Sequence, residues 1–207
     1  MSSASAEPAV FLCPELAGTL MSPEEFDAVE EYDENYRYEL IHGVLVVTPI
    51  ALAEETDPNE ELGRMLRNYQ EQHLQGHTLD KTLPQQYVRT SRSRRLADRL
   101  IWAGLGRVPD RRRDLPAVVV EFVSASRRDR QRDYVDKRQE YTEIRIPEYW
   151  IIDRFRRIMT VIHNRPGGVE EQVIRENETY STPLLPGFEL PLARLFGVAD
   201  SWEQPQP

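Results

Sequence analysis

Residues 115–153, LPAVVVEFVSASRRDRQRDYVDKRQEYTEIRIPEYWIID, carry the pattern that decides the fold. Leu115–Ser124 is a short, nearly continuous apolar run, which is typical of a central strand buried on both faces. A polar segment rich in helix-forming residues follows from Arg127 to Glu143. The apolar run Pro147–Asp153 then predicts a second buried strand. The succession of strand, helix and strand predicts an α/β fold.

The flanking sequence predicts further elements on both sides of this stretch. On the N-terminal side they are a helix at 22–31, a hairpin at 36–48, an amphipathic helix at 59–75 and strands at 77–90 and 96–103. On the C-terminal side they are strands at 158–163 and 169–175. Together these elements predict a mixed central β-sheet flanked by α-helices.

The length of 207 residues suits one domain with short tails. We expect a flexible lead-in at 1–20, the domain at 21–197 and a tail at 198–207. No apolar run approaches the roughly 18 residues of a membrane helix, and the N-terminus lacks the pattern of a secretory signal. The single cysteine, Cys13, cannot form an internal disulfide, which fits a reducing compartment. The sequence therefore predicts a cytoplasmic protein with no membrane partner.

The charge is unevenly distributed along the chain. The net charge of −9 by itself disfavours nucleic-acid binding. The stretch from Arg89 to Arg138, however, contains 15 basic and 7 acidic residues, a charge of +8, which leaves −17 for the remainder. Such a basic middle, with Arg127, Arg128 and Arg130 at its end, is either a phosphate-facing surface or a solvated arginine-rich face.

Glu121 is the first candidate for chemistry, because it interrupts the apolar run. A carboxylate there is costly to bury unless it is paired or binds a cation. Asp98 lies about one strand earlier, at the head of another apolar run, Leu96–Trp102. Two carboxylates on neighbouring strands would form an oxygen-rich pocket that suits Mg²⁺ or Mn²⁺. The alternative for Asp98 is a simple ion pair at a strand edge with Arg95 or Arg99.

The helix after Glu121 supplies a candidate cation. Asp133, Lys137 and Tyr141 are spaced at i, i+4 and i+8, so they share one helix face. If that helix packs on the sheet, Lys137 can reach the two carboxylates and hold an attacking water or stabilise charge on phosphate. The alternative is a surface ion pair between Asp133 and Lys137. Tyr141 and Tyr149 are interpreted as packing aromatics.

Five segments resemble the motifs of one nuclease family. In chain order they are Tyr38–Gly43, Glu121–Ser126, Asp133–Tyr141, Pro147–Asp153 and Ser181–Phe188. They are similar to the signature of the Uma-type family of putative restriction endonucleases, in the PD-(D/E)XK nuclease superfamily. The resemblance covers roughly residues 20–197, and it implies a restriction-endonuclease-like core and a Mg²⁺-dependent endodeoxyribonuclease that acts on DNA, with Mn²⁺ as a possible substitute.

The resemblance also implies roles for individual residues. Asp98 stands for the first metal-binding aspartate and Glu121 for the second acid. The lysine that usually follows two residues later is replaced by Val123, and Lys137 is the substitute that orients the attacking water. Glu39 adds a further carboxylate. Cleavage would leave 5′-phosphate ends, and a homodimer is plausible because cutting both strands often needs two sites.

A second hypothesis comes from a different functional class. It is a nucleic-acid-binding or assembly module that keeps the fold without catalysis. Convergence of Asp98, Glu121 and Lys137 within about one metal shell would favour the nuclease, and separation by more than a side-chain length would favour the module.

Overall fold

The structure is a computed structural model that describes residues 10–125 and 130–202, with only the backbone described at residues 54 and 55. Parts of the predicted lead-in and tail lie outside the described residues. So do Arg127 and Arg128, which begin the predicted helix and were suggested as phosphate ligands.

The chain divides into two compact units. The smaller comprises Met1–Ile50 and Tyr87–Leu96, and the larger comprises Ala51–Gln86 and Ala97–Pro207.

The smaller unit contains a hairpin and short flanking elements. These are β1 (Phe11–Leu12), α1 (Pro23–Asp27), β2 (Glu31–Tyr32), β3 (Tyr36–Ile41) and β4 (Val44–Pro49). β3 and β4 form the predicted antiparallel hairpin. Its turn places His42 and Gly43 at φ 50° and 83°, and glycine adopts this left-handed region without steric cost. The helix predicted at 22–31 ends at Asp27, because residues 31–32 pair with β1 as a parallel strand.

The larger unit contains most of the sheet and three helices. The helices are α2 (Ala53–Gln72), α3 (Arg138–Glu143) and α4 (Leu192–Asp200), and a π-helical turn, Arg132–Lys137, leads directly into α3. The strands are β5 (Leu79–Arg89), β6 (Arg94–Ala103), β7 (Val118–Phe122), β8 (Glu148–Asp153), β9 (Ile158–Arg165), β10 (Gly168–Arg175), β11 (Thr179–Ser181) and β12 (Glu189–Pro191). The first residues of β6 and the last of β5 belong to the smaller unit. Within the described residues, no helix is both long and apolar enough to cross a membrane.

The sheet of the larger unit is mixed, as the sequence predicts. Its strands lie in the order β10-β9-β8-β7-β6, and β5 pairs with β6. β7 and β8 are parallel, whereas the pairs β6–β7, β8–β9 and β9–β10 are antiparallel. Parallel strands need a crossover connection, and the segment that contains the π-helical turn and α3 connects β7 to β8.

One face of this sheet packs against α2 and α4. Val118 and Val120 of β7 and Trp150 of β8 join Leu62 and Leu66 of α2 in that core. Successive side chains of a strand point to opposite faces. The carboxylate of Glu121 therefore projects from the face of the sheet that does not carry this core.

Helix α2 begins at Ala53 rather than at the predicted Asn59. The prediction began at Asn59 because the apolar residues at helical spacing, Leu62, Met65, Leu66 and Tyr69, all follow that residue. Pro58 lies inside the helix, within its first two turns, where its ring removes a single internal hydrogen bond. The loss is small beside the apolar surface that α2 buries against the sheet.

Glu148, in the Pro-Glu-Tyr-Trp segment, is the centre of a buried hydrogen-bond network. Its Oε2 accepts hydrogen bonds from Trp150 Nε1 and the Tyr180 hydroxyl, both at 2.9 Å. Its Oε1 accepts one from the Thr182 hydroxyl at 2.7 Å and lies 3.4 Å from His163 Nδ1. This glutamate therefore joins β8 to the segment that begins at β11, which gives the motif a structural role.

We expect Glu148→Ala to lower the free energy of unfolding by about 3 kcal/mol, because it leaves three buried donors without an acceptor. Glu148→Gln keeps one acceptor oxygen and should cost less. Urea unfolding followed by circular dichroism measures both values, with the exposed Glu170→Ala as a control that changes stability by about 0.5 kcal/mol at most. Equal effects for the buried and exposed positions would contradict the network.

Candidate active site

Asp98 and Glu121 lie on adjacent antiparallel strands of the larger unit. Arg99 of β6 pairs with Val120 of β7, so one further step in that register sets Asp98 opposite Glu121. Residues opposite each other in an antiparallel pair project from the same face, with Cβ atoms about 5 Å apart. Asp98 Oδ2 also accepts the backbone N–H of Phe122 at 2.8 Å. The two carboxylates therefore form a pair on the sheet face that does not carry the α2–α4 core.

The π-helical turn brings Lys137 to this pair. Lys137 Nζ lies 2.8 Å from Glu121 Oε1 and 3.5 Å from Asp133 Oδ1. Lys137 and Glu121 are only 1% and 3% exposed, so the ion pair is almost completely removed from water. A π-helical turn has wider i to i+5 spacing and occurs often at functional sites. Surface pairing alone, the alternative for Asp133 and Lys137, is wrong because both side chains are buried.

Two tyrosines complete the surroundings of the ion pair. The Tyr141 hydroxyl donates to Glu121 Oε1 at 3.3 Å, and the Tyr149 hydroxyl donates to the backbone oxygen of Asp133 at 3.0 Å. Their rings pack edge to face with centroids 5.0 Å apart. The sequence interpretation of both as packing aromatics is therefore incomplete, because each hydroxyl contacts the site. The i+8 spacing of Tyr141 from Asp133 was the signal that pointed to it.

The environment of Glu121 favours its neutral form. Burial raises the pKa of Glu121 to about 8, although the nearby charge of Lys137 acts in the opposite direction. The negative charges of Asp98 and Asp133 raise the pKa further. A carboxyl group that is poised between its two protonation states near neutral pH is characteristic of functional sites.

Asp98 is held in place by a polar cluster on the other side of β6. Its backbone oxygen accepts a hydrogen bond from Asn59 Nδ2 at 2.8 Å. The neighbouring Arg99 donates through Nε to Asn59 Oδ1 at 2.7 Å and through Nη2 to the Asn59 backbone oxygen at 2.8 Å. Gly63 of α2 makes room for this guanidinium, because a Cβ there would lie 2.5 Å from Arg99 Nη2. No sequence pattern pointed to this cluster.

We expect Gly63→Ala to destabilise the protein by disturbing the cluster that holds Asp98 in place. The added methyl group displaces the Arg99 guanidinium and costs about 1–3 kcal/mol of stability through overpacking. Thermal unfolding followed by circular dichroism measures the loss, and Gly197→Ala in α4 is the matched control because a Cβ there meets no atom within 4 Å. An unchanged melting temperature for Gly63→Ala would contradict the crowding.

Glu39, the further carboxylate suggested by the resemblance, belongs to the smaller unit. It is buried in β3, and its Oε1 accepts the backbone N–H of Leu96 at 2.9 Å. Its negative charge, together with burial, raises the pKa of Tyr87. These contacts are those of a residue that supports the hairpin, and a role for Glu39 at a metal site stays a prediction.

The donor atoms present fit Mg²⁺ in the way that this ion is usually bound. Within residues 10–125 and 130–202, no group of three or more His, Cys, Asp or Glu side chains is arranged to hold a metal. Mg²⁺, however, keeps several waters and is commonly bound through one or two carboxylates plus substrate phosphate. The facing carboxylates of Asp98 and Glu121 fit this requirement, and Lys137 and Tyr141 both contact Oε1 of Glu121.

The comparisons with known proteins identify the fold and the family. The crystal structure of a protein described as a putative nuclease belonging to DUF820, from Anabaena variabilis, superposes with a TM-score of 0.65 at 12% sequence identity and covers 86% of this chain and 99% of that chain. This chain therefore shares its mixed α/β fold with that protein. The family model of Uma2, described as putative restriction endonuclease, matches residues 23–193. The chain belongs to this family, as its motifs indicated. No curated protein is detectably similar to it.

Proposed function

We propose that this protein is a metal-dependent endodeoxyribonuclease whose active site contains Asp98, Glu121 and Lys137. The observation that carries the proposal is the convergence of two facing carboxylates and a buried lysine on one face of the sheet. Family membership supports nucleic acid as the substrate class. DNA as the substrate, Mg²⁺ as the ion and the roles of the three residues are the content of the proposal.

Asp98 and Glu121 bind the cation in this mechanism. A divalent ion held there supplies Lewis-acid chemistry, because it lowers the pKa of water and offsets negative charge on phosphate. Glu121 must be ionised to bind it, and Lys137 favours that ionised form. Asp98 is partly exposed, whereas Glu121 is buried, so the phosphodiester approaches the pair from the side of Asp98.

Lys137 acts on the attacking water and on the phosphate. With a cation held by Asp98 and Glu121, the ammonium group of Lys137 would hold the attacking water or a phosphate oxygen. The water oxygen forms a bond to phosphorus, the bond from phosphorus to the sugar 3′ oxygen breaks, and the 3′ oxygen takes up a proton. In a site with little water, an ammonium group stabilises a developing negative charge far more than it would in solution.

The test is cleavage of supercoiled plasmid DNA by the purified protein in Mg²⁺, Mn²⁺ and EDTA. We expect nicked and linear products with either metal and none with EDTA. Glu121→Gln and Asp98→Asn should each lower the rate by about a hundredfold or more, and the exposed Glu189→Gln should leave it unchanged. Equal cleavage by wild type and Glu121→Gln would identify a contaminating nuclease and contradict the site.

A catalytically silent nucleic-acid-binding module is the second candidate. The burial of Lys137 and Glu121 favours it, because their ion pair is complete without a metal. The protein samples prepared for the cleavage test also distinguish the nuclease from the binding module. Binding of DNA by wild type without cleavage under any metal condition would support the module over the nuclease.

A further inference from the structure

A cluster of cations and aromatic rings is formed by the turn between β8 and β9 together with Arg130 and Tyr134 of the segment that leads into α3. Arg130 and Arg154 each place their guanidinium carbon over the ring of Phe155, at 4.8 and 4.7 Å from its centroid. The guanidinium of Arg156 lies 5.8 Å from the ring centroid of Tyr134. We call these five residues the arginine–aromatic platform.

The three arginines of the platform carry positive charge that no described salt bridge offsets. Within the part of the chain that the structure describes, no salt bridge involves Arg130, Arg154 or Arg156. Arg157, the next residue of the same turn, is instead paired with Glu176 and with Asp200. A protein with a net charge of −9 has acids available to neutralise a surface, so three arginines without such partners indicate an anionic ligand.

The platform also exposes an apolar ring. Phe155 is 41% exposed, although a large aromatic side chain usually gains by burial. The turn that presents it is fixed, since Asp153 Oδ1 accepts the backbone N–H groups of both Phe155 and Arg156 at 3.0 Å. Asp153 itself is completely buried. The ring is therefore held at the surface by the backbone.

The platform adjoins the carboxylate pair. Glu121 pairs with Ile151 of β8, and Asp153 lies two residues further along on the same face, or about 7 Å at the rise of a strand. The Tyr134 hydroxyl donates to Asp153 Oδ2 at 3.2 Å, and Tyr134 directly follows Asp133, the ion-pair partner of Lys137.

We propose that the arginine–aromatic platform binds a single-stranded stretch of nucleic acid next to the scissile phosphate, with Arg154 and Arg156 on the backbone and an unstacked base against Phe155 and the guanidinium planes that lie over its ring. Proteins that bind single strands combine a basic surface with aromatic and guanidinium planes on which bases stack. A base inside an intact duplex cannot reach such a ring. This proposal rests on the proposed function and narrows its substrate to single-stranded or locally unpaired DNA.

The test measures binding in EDTA, where cleavage plays no part. Fluorescence anisotropy is recorded with a labelled oligothymidylate and with a duplex of the same length. We expect the single strand to bind more tightly, Phe155→Ala and Phe155→Leu to weaken it about tenfold, and Phe155→Trp to retain it. Replacing Arg154 and Arg156 by glutamine should reduce the salt dependence of single-strand binding by about 1.4, at about 0.7 per phosphate contact.

Arg165→Gln is the control for charge, because it removes one positive charge at the opposite end of β9. Circular dichroism of each variant excludes loss of fold, and Phe155→Leu retains apolar volume if Phe155→Ala proves unstable. Tighter binding of duplex than of single strand, or single-strand binding that is unchanged in both Phe155 variants, would overturn the proposal. So would equal competition by inorganic polyphosphate, since that marks a site for charge alone. Plasmid cleavage can fail while this binding persists, so the two proposals are tested separately.

Discussion

Lys137→Met is expected to lower plasmid cleavage by about 10³-fold, which is the usual cost of removing a preorganised group that stabilises developing charge. Methionine keeps the length and apolar volume of the side chain and removes only its charge and donors. Lys81→Met is a natural control, because Lys81 is the only other lysine in the chain and is exposed. Single-turnover cleavage with saturating enzyme separates the loss of rate from any change in DNA binding.

The pH dependence of this variant distinguishes two roles for the lysine. If Lys137 acts only by keeping Glu121 ionised, raising the pH restores cleavage in Lys137→Met. If the ammonium group itself contacts water or phosphate, the deficit persists at high pH. We expect the deficit to persist, and its disappearance would reduce Lys137 to a positioning residue.

Above pH ~8, where Glu121 is ionised, the same substitution should expose the cost of an unpaired buried carboxylate. Removing one partner of a buried ion pair typically costs about 3–5 kcal/mol of stability. The double variant Lys137→Met/Glu121→Gln removes both charges and should be more stable than Lys137→Met alone. Urea unfolding of the two single variants and the double variant gives the coupling energy directly, and additive effects would contradict the ion pair.

Much of the architecture was predictable because the hydrophobic pattern is strong where strands are buried. The apolar runs around Glu121 and Trp150 predict two buried strands, and the structure confirms both as β7 and β8. The hairpin around His42 and Gly43 was predictable from its turn residues. The end of α1 was not, because it depends on the pairing of residues 31–32 with a distant strand, and local propensity carries no information about such partners.

The site was predictable in part for the same reason. Glu121 stands out because an acid in an apolar run needs a partner, and the spacing of Asp133, Lys137 and Tyr141 places them on one helix face. The π-helical turn and the hydrogen bonds of Tyr141 and Tyr149 could not be predicted. They depend on side-chain positions that only the packed helix and sheet define.

Metal affinity is expected to depend strongly on pH, because Glu121 must lose a proton before it can bind a cation. Burial raises the pKa of Glu121 to about 8, above the value in an unfolded chain. The folded, metal-free protein therefore retains a proton that the unfolded chain has already lost. The stability that this proton contributes is largest in acid and is lost as the pH rises towards about 8.

A cation that displaces this proton from Glu121 binds more tightly as the pH rises over the same range. The half-saturating Mg²⁺ concentration should fall by about tenfold per pH unit well below the pKa, by about fiftyfold in all from pH ~6 to pH ~8, and then level off. Thermal shift measured against Mg²⁺ concentration reports the affinity without requiring cleavage. The increase in melting temperature on adding Mg²⁺ should accordingly be larger at pH ~8 than at pH ~6.

Two variants test whether Glu121 is the group that makes Mg²⁺ affinity depend on pH. Glu121→Gln has no proton to lose and should show weak binding that no longer varies with pH in this range. Lys137→Met removes the charge that opposes the rise in pKa, so its binding should require a still higher pH. The two buried groups, Glu121 and Lys137, titrate as a pair. A shift of metal binding to higher pH in Lys137→Met therefore tests their coupling. Mg²⁺ affinity that stays constant from pH ~6 to pH ~8 in the wild type would mean that Lys137 already holds Glu121 fully ionised, and the ion pair would then be the resting state that a metal must break.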